Sequence, residues 1–224
     1  GKIEERAPVR NEPGYVSLAV NENVLERVPG LTTDQNRSGL IHALLVGIED
    51  YHPKSYLKPL RGCLNDINAV ELGLQTIQGK LVPDLSVTRL VNEEATFEEV
   101  LTSLEKIFKK AKADDHVFLF FVGHTRPTED TKSDIILYDS EIKGGKNFRA
   151  VDLENVIQSS GSDPYVFLVL DSGLDWLDTK NSKHTFISGH PNNDDLPSQD
   201  GGSFGIKIAS LLKKAETYTY RDFF

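Results

Sequence analysis

The chain has 224 residues, 38% hydrophobic and 26% charged, with 25 Lys+Arg against 34 Asp+Glu for a net charge of −9. One α/β unit of that size is ordinary and buries a substantial core without disulfide or metal staples. The acidic balance argues against broad electrostatic binding to nucleic acid or to an anionic membrane, either of which needs a basic face. The single cysteine, Cys63, excludes an internal disulfide and fits a reducing, cytoplasmic setting. The longest purely apolar run, Val117 to Val122, is far too short to span a bilayer. The amino-terminal stretch "GKIEERAPVRNEPG" is charged and proline-bearing, unlike a secretory signal. Methionine is absent throughout, so the expectation is a processed or excised domain of a larger parent protein.

Residues 1–38 carry polar and Pro/Gly breaks and read as an amino-terminal arm or linker, with one strand in "YVSLAV". Residues 39–224 read as one domain. "IHALLVGI" is a short apolar run that ends in Glu49 and Asp50, as a buried strand would. "CLNDINAVELGLQTI" places Leu64, Ile67, Val70, Leu72, Leu74 and Ile77 at roughly helical spacing. "LSVTRLV" alternates like a strand. In "TFEEVLTSLEKIFKKAK", Thr96 and Glu99 form a capping box, and lysines sit in the last turn where they suit the helix dipole. "HVFLFFV" is a second central strand followed by a "GHT" turn, "DIILYD" a shorter strand and "VDLENVIQ" a short helix. "YVFLVL" is a further buried strand, "KHTFIS" another candidate, "FGIKIASLLKKA" an amphipathic helix and "TYRDFF" the start of a last one. Strand–helix alternation at these lengths predicts a mostly parallel sheet covered on both faces.

Three strand ends carry polar chemistry and fall on one edge of such a sheet, the edge where ligands collect. "GIEDY" leads to "LRGCLNDI", with Cys63 and Asp66 at a helix start; "FVGHTRP" carries His124; "LDSGLDW" carries Asp171 and Ser172. Histidine opposite a small nucleophile on neighbouring strand ends is the geometry of an acyl-transfer dyad.

From about Ile41 onward these segments, in this order, resemble a caspase-type cysteine peptidase domain, closest to the metacaspases and bacterial orthocaspases. "HALLVGIEDY" resembles the family's first strand, "LRGCLNDI" its first helix, "VTRLVNEEATFEEVLTSLEKI" the second strand and helix, "DDHVFLFFVGH" the strand that delivers the catalytic histidine, and "VFLVLDSG" the strand before the catalytic cysteine. The "GGSFGIKIASLLKKAETYTYRDFF" tail resembles the small-subunit region. The resemblance implies a caspase-like three-layer α/β/α sandwich around a mostly parallel sheet of about six strands. It puts His124 in the place of the catalytic general acid/base. It also puts Cys63, Asp66 and Asp171 around the pocket for the residue before the scissile bond, which in metacaspases is acidic and holds Arg or Lys.

The departures fall at the centre of the chemistry. The family's nucleophile position is Gly173, which has no side chain to attack with. Leu174, Asp175 and Trp176 replace the usual histidine–serine–glycine, Thr125 follows the histidine, and Val122 stands where metacaspases carry serine. Ser172 is the substitute nucleophile on offer, but a one-residue shift along a strand turns it to the other face. Each remaining residue also has a bland reading. His124 serves as a hydrogen-bonded strand-end histidine, Cys63 as a packing residue, and Asp66 as an acid favouring its helix's amino terminus. "HPNNDDLPSQDGG" has acids and carbonyls able to hold Ca²⁺, on which some metacaspases depend, but it lacks regular ligand spacing, so no cofactor is expected.

The expectation is therefore a catalytically impaired metacaspase-like domain, a pseudo-peptidase. It would act as a regulatory or protein-binding module in signalling, taking a protein or peptide partner in the former substrate cleft or along a sheet edge, or working with other domains of its parent chain. The alternative is an active endopeptidase cutting after Arg or Lys with a non-standard nucleophile. A third reading is a purely architectural domain whose cleft is filled, with Trp176 as the plug.

Overall fold

The computed structural model describes residues 15–17, 39–78, 84–128, 133–171, 183–188 and 203–214. Its centre is a sheet of six strands: β1 (Tyr15–Ser17), β2 (Ile41–Gly47), β3 (Leu85–Val91), β4 (His116–Val122), β7 (Tyr165–Leu170) and β8 (His184–Ser188). They lie side by side in the order β1-β8-β7-β4-β2-β3, and every pairing is parallel. A parallel strand covered on both faces has no solvent side to alternate toward, which is why β2 and β4 are apolar apart from His42 and His116. Both are buried at every position. The expected strand in "YVSLAV" is the short β1, and it pairs with β8.

Four helices complete the described layers: α1 (Cys63–Ile77), α2 (Phe97–Lys110), α3 (Ala150–Ser159) and α4 (Ser203–Lys214). Leu44, Val46, Leu119 and Leu168 join α2 and α3 through Val100, Leu104, Phe108 and Leu153 in one core. Ala43, Leu45, Phe118 and Phe120 join α1 and α4 through Ile67, Val70, Leu74, Ile208 and Leu212 in the other. These two cores on opposite faces are the predicted three-layer sandwich, and the period-2 alternation of each strand assigns neighbours to opposite sides.

α2 starts where Thr96 caps it, its hydroxyl accepting the Glu99 backbone N–H at 3.3 Å. Glu98 and Glu99 in the first turn and Lys109 and Lys110 in the last complement the helix dipole. α1 begins differently, after Gly62 at φ 100°, a conformation that strains a side chain but not glycine. Of the apolar stripe predicted for α1, Ile67, Val70, Leu74 and Ile77 are buried, but Leu72 is 54% exposed. Leu72 lies a half-turn off the core-facing arc, and α4 covers only the Gly73 side, where Ala209 and Leu212 come close.

"DIILYD" is not a strand along its length. Only its first part joins a three-residue strand, β6 (Ser133–Ile135), which runs antiparallel to β5 (Thr125–Pro127) as a separate two-stranded unit just beyond His124. After Ile135 the backbone turns to other partners. Ile136 N–H donates to the His124 carbonyl, Tyr138 N–H to the Ala95 carbonyl, and Leu137 N–H to the Ser140 hydroxyl.

The register levels the carboxyl ends of the central strands: Gly47 sits beside Val122, and Phe121 beside Leu170. The chain leaves β2 toward β3 on one side and crosses back to β4 on the other. The crevice between β2 and β4 is thus the point where the winding reverses, the place at which such sheets bind ligands.

Candidate active site

His124 follows β4 by two residues and is fixed at three atoms. Its backbone N–H donates to the Tyr51 hydroxyl at 2.7 Å, and its carbonyl accepts Ile136 N–H at 3.0 Å. Its ring Nε2 lies 2.9 Å from the Lys58 carbonyl oxygen. A carbonyl only accepts, so Nε2 carries the proton and a neutral ring keeps Nδ1 as its acceptor. The Tyr51 ring lies tilted against the imidazole with centroids 5.2 Å apart. Burial pushes the Tyr51 phenol up, the His124 N–H pulls it down, and Cys63 adds a further upward push; the net direction is up, so the hydroxyl stays protonated. His124 is thus held as a general base would be, with one nitrogen anchored and the other available.

The second half of the site is acidic. Asp171 directly follows β7, and its backbone N–H donates to the Phe121 carbonyl at 3.0 Å. Leu170 belongs to the α2/α3 core and Val122 to the α1/α4 core, so alternation puts the Asp171 side chain on the α1/α4 face. Cys63 and Asp66, from the first turn of α1, are on that same face. The Cys63 thiol is pushed up first by burial and then by the negative charges of Asp66, Asp171 and Glu49. Three carboxylates therefore act on one point at the carboxyl edge of the sheet. The Asp171 carboxyl is pushed up to about 6 by burial, with Lys207 of α4 pulling it down.

Cys63 is 2% exposed and Asp66 is 1% exposed. α4 covers Asp66 at Gly205, where an added β-carbon would stand 2.6 Å from the Asp66 Oδ1. Asp66 therefore acts on the cleft as a charge behind the wall, and Asp171, half-buried, is the acid at its surface. The crevice lined by Phe121, Gly123, Thr125, Ile135, Leu170 and Asp171 encloses about 10 Å³, room for about one water, so no ligand side chain enters there.

Two expectations follow for these groups. Cys63 should resist iodoacetamide in the native protein and react only on unfolding, because the thiolate is the reactive form and its surroundings oppose it; mass spectrometry of labelled protein checks this. For Asp171, a folded value above the unfolded one means the native state holds the proton more tightly, so stability falls as pH rises from the ordinary carboxylate range through about 6. Asp171→Asn should raise the melting temperature at neutral pH and flatten that slope in a pH series of thermal melts.

The structure thus brings Cys63, Asp66 and Asp171 together and places His124 at the same edge. Ser172, Gly173 and Trp176, the His190–Gly202 run considered for Ca²⁺ and the Thr219–Phe224 segment lie outside the described residues. Among the described residues no group of His, Cys, Asp or Glu has metal-binding geometry, and no helix is long and apolar enough to cross a membrane. Sequence reasoning missed Tyr51, Glu49 and the Lys58 carbonyl. The first two were visible only as polar residues after a strand, and a backbone carbonyl leaves no side-chain signal.

A parallel sheet between two helical layers, with a histidine and an aspartate on adjacent strand ends, is consistent with a caspase-like domain. The sequence model of the metacaspase peptidase C14 domain matches residues 42–156, about half of the chain, and the chain belongs to that family. It is 33% identical over 113 residues to Metacaspase-1 of Candida albicans, a match spanning 47% of this chain and 24% of that relative. A crystal structure of a Geobacter sulfurreducens protein superposes with a TM-score of 0.57 at 17% identity, covering 82% of this chain and 86% of that one, which supports the fold.

Proposed function

We propose that this domain is a metacaspase-family pseudo-peptidase that captures a peptide through an Arg or Lys side chain at the acidic strand edge and does not cut it. The observation that carries the reading is Asp171, half-buried at the end of β7, on the same face as Cys63 and Asp66 at the start of α1. Carboxylates crowded at one desolvated edge repel one another, and an incoming guanidinium relieves that repulsion while donating charge-assisted hydrogen bonds to them. Asp171 at the surface is the contact, and Asp66 behind it adds field. The peptide backbone would lie extended along the carboxyl edge, as in strand addition. Gly173 in the nucleophile position supplies no attacking atom, so binding is not followed by acyl transfer. A regulatory role in a larger chain, with an active homologue or an effector domain as partner, fits a module that holds without cutting.

Calorimetric titration with an Arg-bearing peptide and its Gln-substituted twin tests this. The expected result is a preference for Arg that falls roughly tenfold or more in Asp171→Asn, the scale of one charge-assisted hydrogen bond. Equal binding of both peptides would remove the reading. One observation favours the active-endopeptidase alternative: the His124 ring remains anchored at Nε2 with Nδ1 directed away from its anchor. A neutral-pH activity lost in His124→Ala would select that alternative.

A further inference from the structure

At the end of β3 the backbone does something unusual for a residue with a side chain: Asn92 adopts φ 47°, the left-handed region. Asparagine tolerates that region better than most residues, and tertiary contacts have to hold it there. Here the amide has two partners on the neighbouring strand end. Asn92 Oδ1 accepts the backbone N–H of Glu49 at 2.9 Å and of Asp50 at 3.1 Å. Glu49 in turn closes the loop that begins with it. Its carbonyl accepts Leu60 N–H at 2.8 Å, its Oε2 accepts Gly62 N–H at 3.2 Å, and its Oε1 accepts the Arg61 Nη1 donor at 2.9 Å. Inside that closed loop, Ser55 N–H donates to the His52 carbonyl at 2.7 Å, and Leu57 N–H to the Ser55 hydroxyl at 3.1 Å. The next residue is Lys58, whose carbonyl faces His124 Nε2.

We propose that Asn92 is a positioning residue for His124: by fixing the start of the 49–62 loop it sets where the Lys58 carbonyl stands, and that carbonyl chooses the imidazole tautomer. The relay runs through one side-chain amide, one carboxylate clamp and one braced turn, and none of these groups touches the histidine ring. Tyr51, in the same loop, is the second output of the relay, because its hydroxyl takes the His124 backbone N–H. Releasing the loop start therefore loosens both restraints at once. The inference stands whether the domain holds peptide or cuts it, since it concerns the free protein.

The test is ¹⁵N NMR of histidine-labelled free protein at alkaline pH, where the Nδ1 and Nε2 shifts report the tautomer directly. The parent protein should show His124 as the Nε2–H form. Asn92→Gly keeps the backbone conformation available and removes only the acceptor; it should lower the Nε2–H to Nδ1–H ratio by about tenfold, the worth of roughly one net hydrogen bond. Asn92→Asp, which keeps the oxygen, should restore the ratio, an outcome that a merely structural role would not require. Glu49→Ala should reproduce the Asn92→Gly change through the other link, and it carries the test if Asn92→Gly loses its fold by circular dichroism. A parent protein in the Nδ1–H form, or an unchanged ratio in a folded Asn92→Gly or Glu49→Ala protein, would overturn the proposal. Because no peptide is present, failure of peptide capture leaves this result standing, and the reverse holds too.

Discussion

Gly173→Cys should convert the domain into a peptidase that cuts after Arg or Lys, with a gain on the order of 10³-fold or more over the parent protein, because a missing nucleophile is the costliest single loss in a covalent mechanism. His124 is anchored at Nε2 by the Lys58 carbonyl and held at its backbone by Tyr51, leaving Nδ1 to accept a thiol proton. Asp171 stands at the neighbouring strand end, on the proposal the residue that meets a basic side chain. Cleavage of an Arg-bearing reporter peptide, followed by mass spectrometry of its products, reads the result. Adding His124→Ala to Gly173→Cys should lower the gained rate by roughly 10² to 10⁴, the usual contribution of a general base. A folded Gly173→Cys protein with no cleavage would mean that the Leu174–Asp175–Trp176 replacement removed more of the machinery than the thiol.

The second large effect concerns stability and lies at the opposite edge of the sheet. Asp115→Ala should destabilise the fold by about 3–5 kcal/mol, the cost of breaking a buried charged network by removing one partner. The Asp115 carboxylate, 4% exposed, accepts the Leu40 N–H at 2.9 Å, the Lys112 N–H at 2.9 Å, and lies 3.2 Å from the His42 Nε2. It ties the start of β2, the exit of α2 and the entry to β4 together, and each orphaned donor would carry its own desolvation cost. Burial alone would raise the Asp115 carboxyl. The Lys112 and Leu40 N–H groups and His42 outweigh it, so the folded value lies below the ordinary one. A depressed folded value gives stability that is complete above the ordinary carboxylate range and is lost as pH falls through the folded value. Urea melts of parent and Asp115→Ala proteins should therefore differ most near neutrality and converge in acid. Asp115→Asn, which keeps one acceptor oxygen, should fall between the two.

How much of this was legible in the sequence depended on whether the cause was local. β2, β4 and β7 are apolar runs because both faces of each strand are covered, and a run of that kind shows without knowledge of its neighbours. α1 and α2 fall close to their predicted spans because the helical apolar spacing, the Thr96 cap and the lysines of the last turn are local signals. The ordered motifs put His124 and Asp171 at strand ends, and the level register of β2, β4 and β7 explains why they share one edge of the sheet. Three-residue strands have no period to detect, so β5 reads as part of the "GHT" turn and its exit, and β6 as part of a longer strand in "DIILYD". The burial of Asp66 depends on Gly205, more than a hundred residues away, and no local pattern forecasts that approach. The relay from Asn92 to His124 pairs the Asn92 amide and the Glu49 carboxylate with backbone groups elsewhere in the chain, and no local sequence pattern shows those partners.

The central claim is that the acidic strand edge still captures basic peptides while the domain leaves them whole. Incubating the purified domain with a diverse peptide mixture, with and without Ca²⁺, and sequencing both the retained peptides and all new termini by mass spectrometry tests it most directly. The account predicts retained peptides enriched in Arg and Lys, uncut, with the enrichment lost in Asp171→Asn. New termini after Arg or Lys that vanish in His124→Ala would contradict it and make the domain a working peptidase.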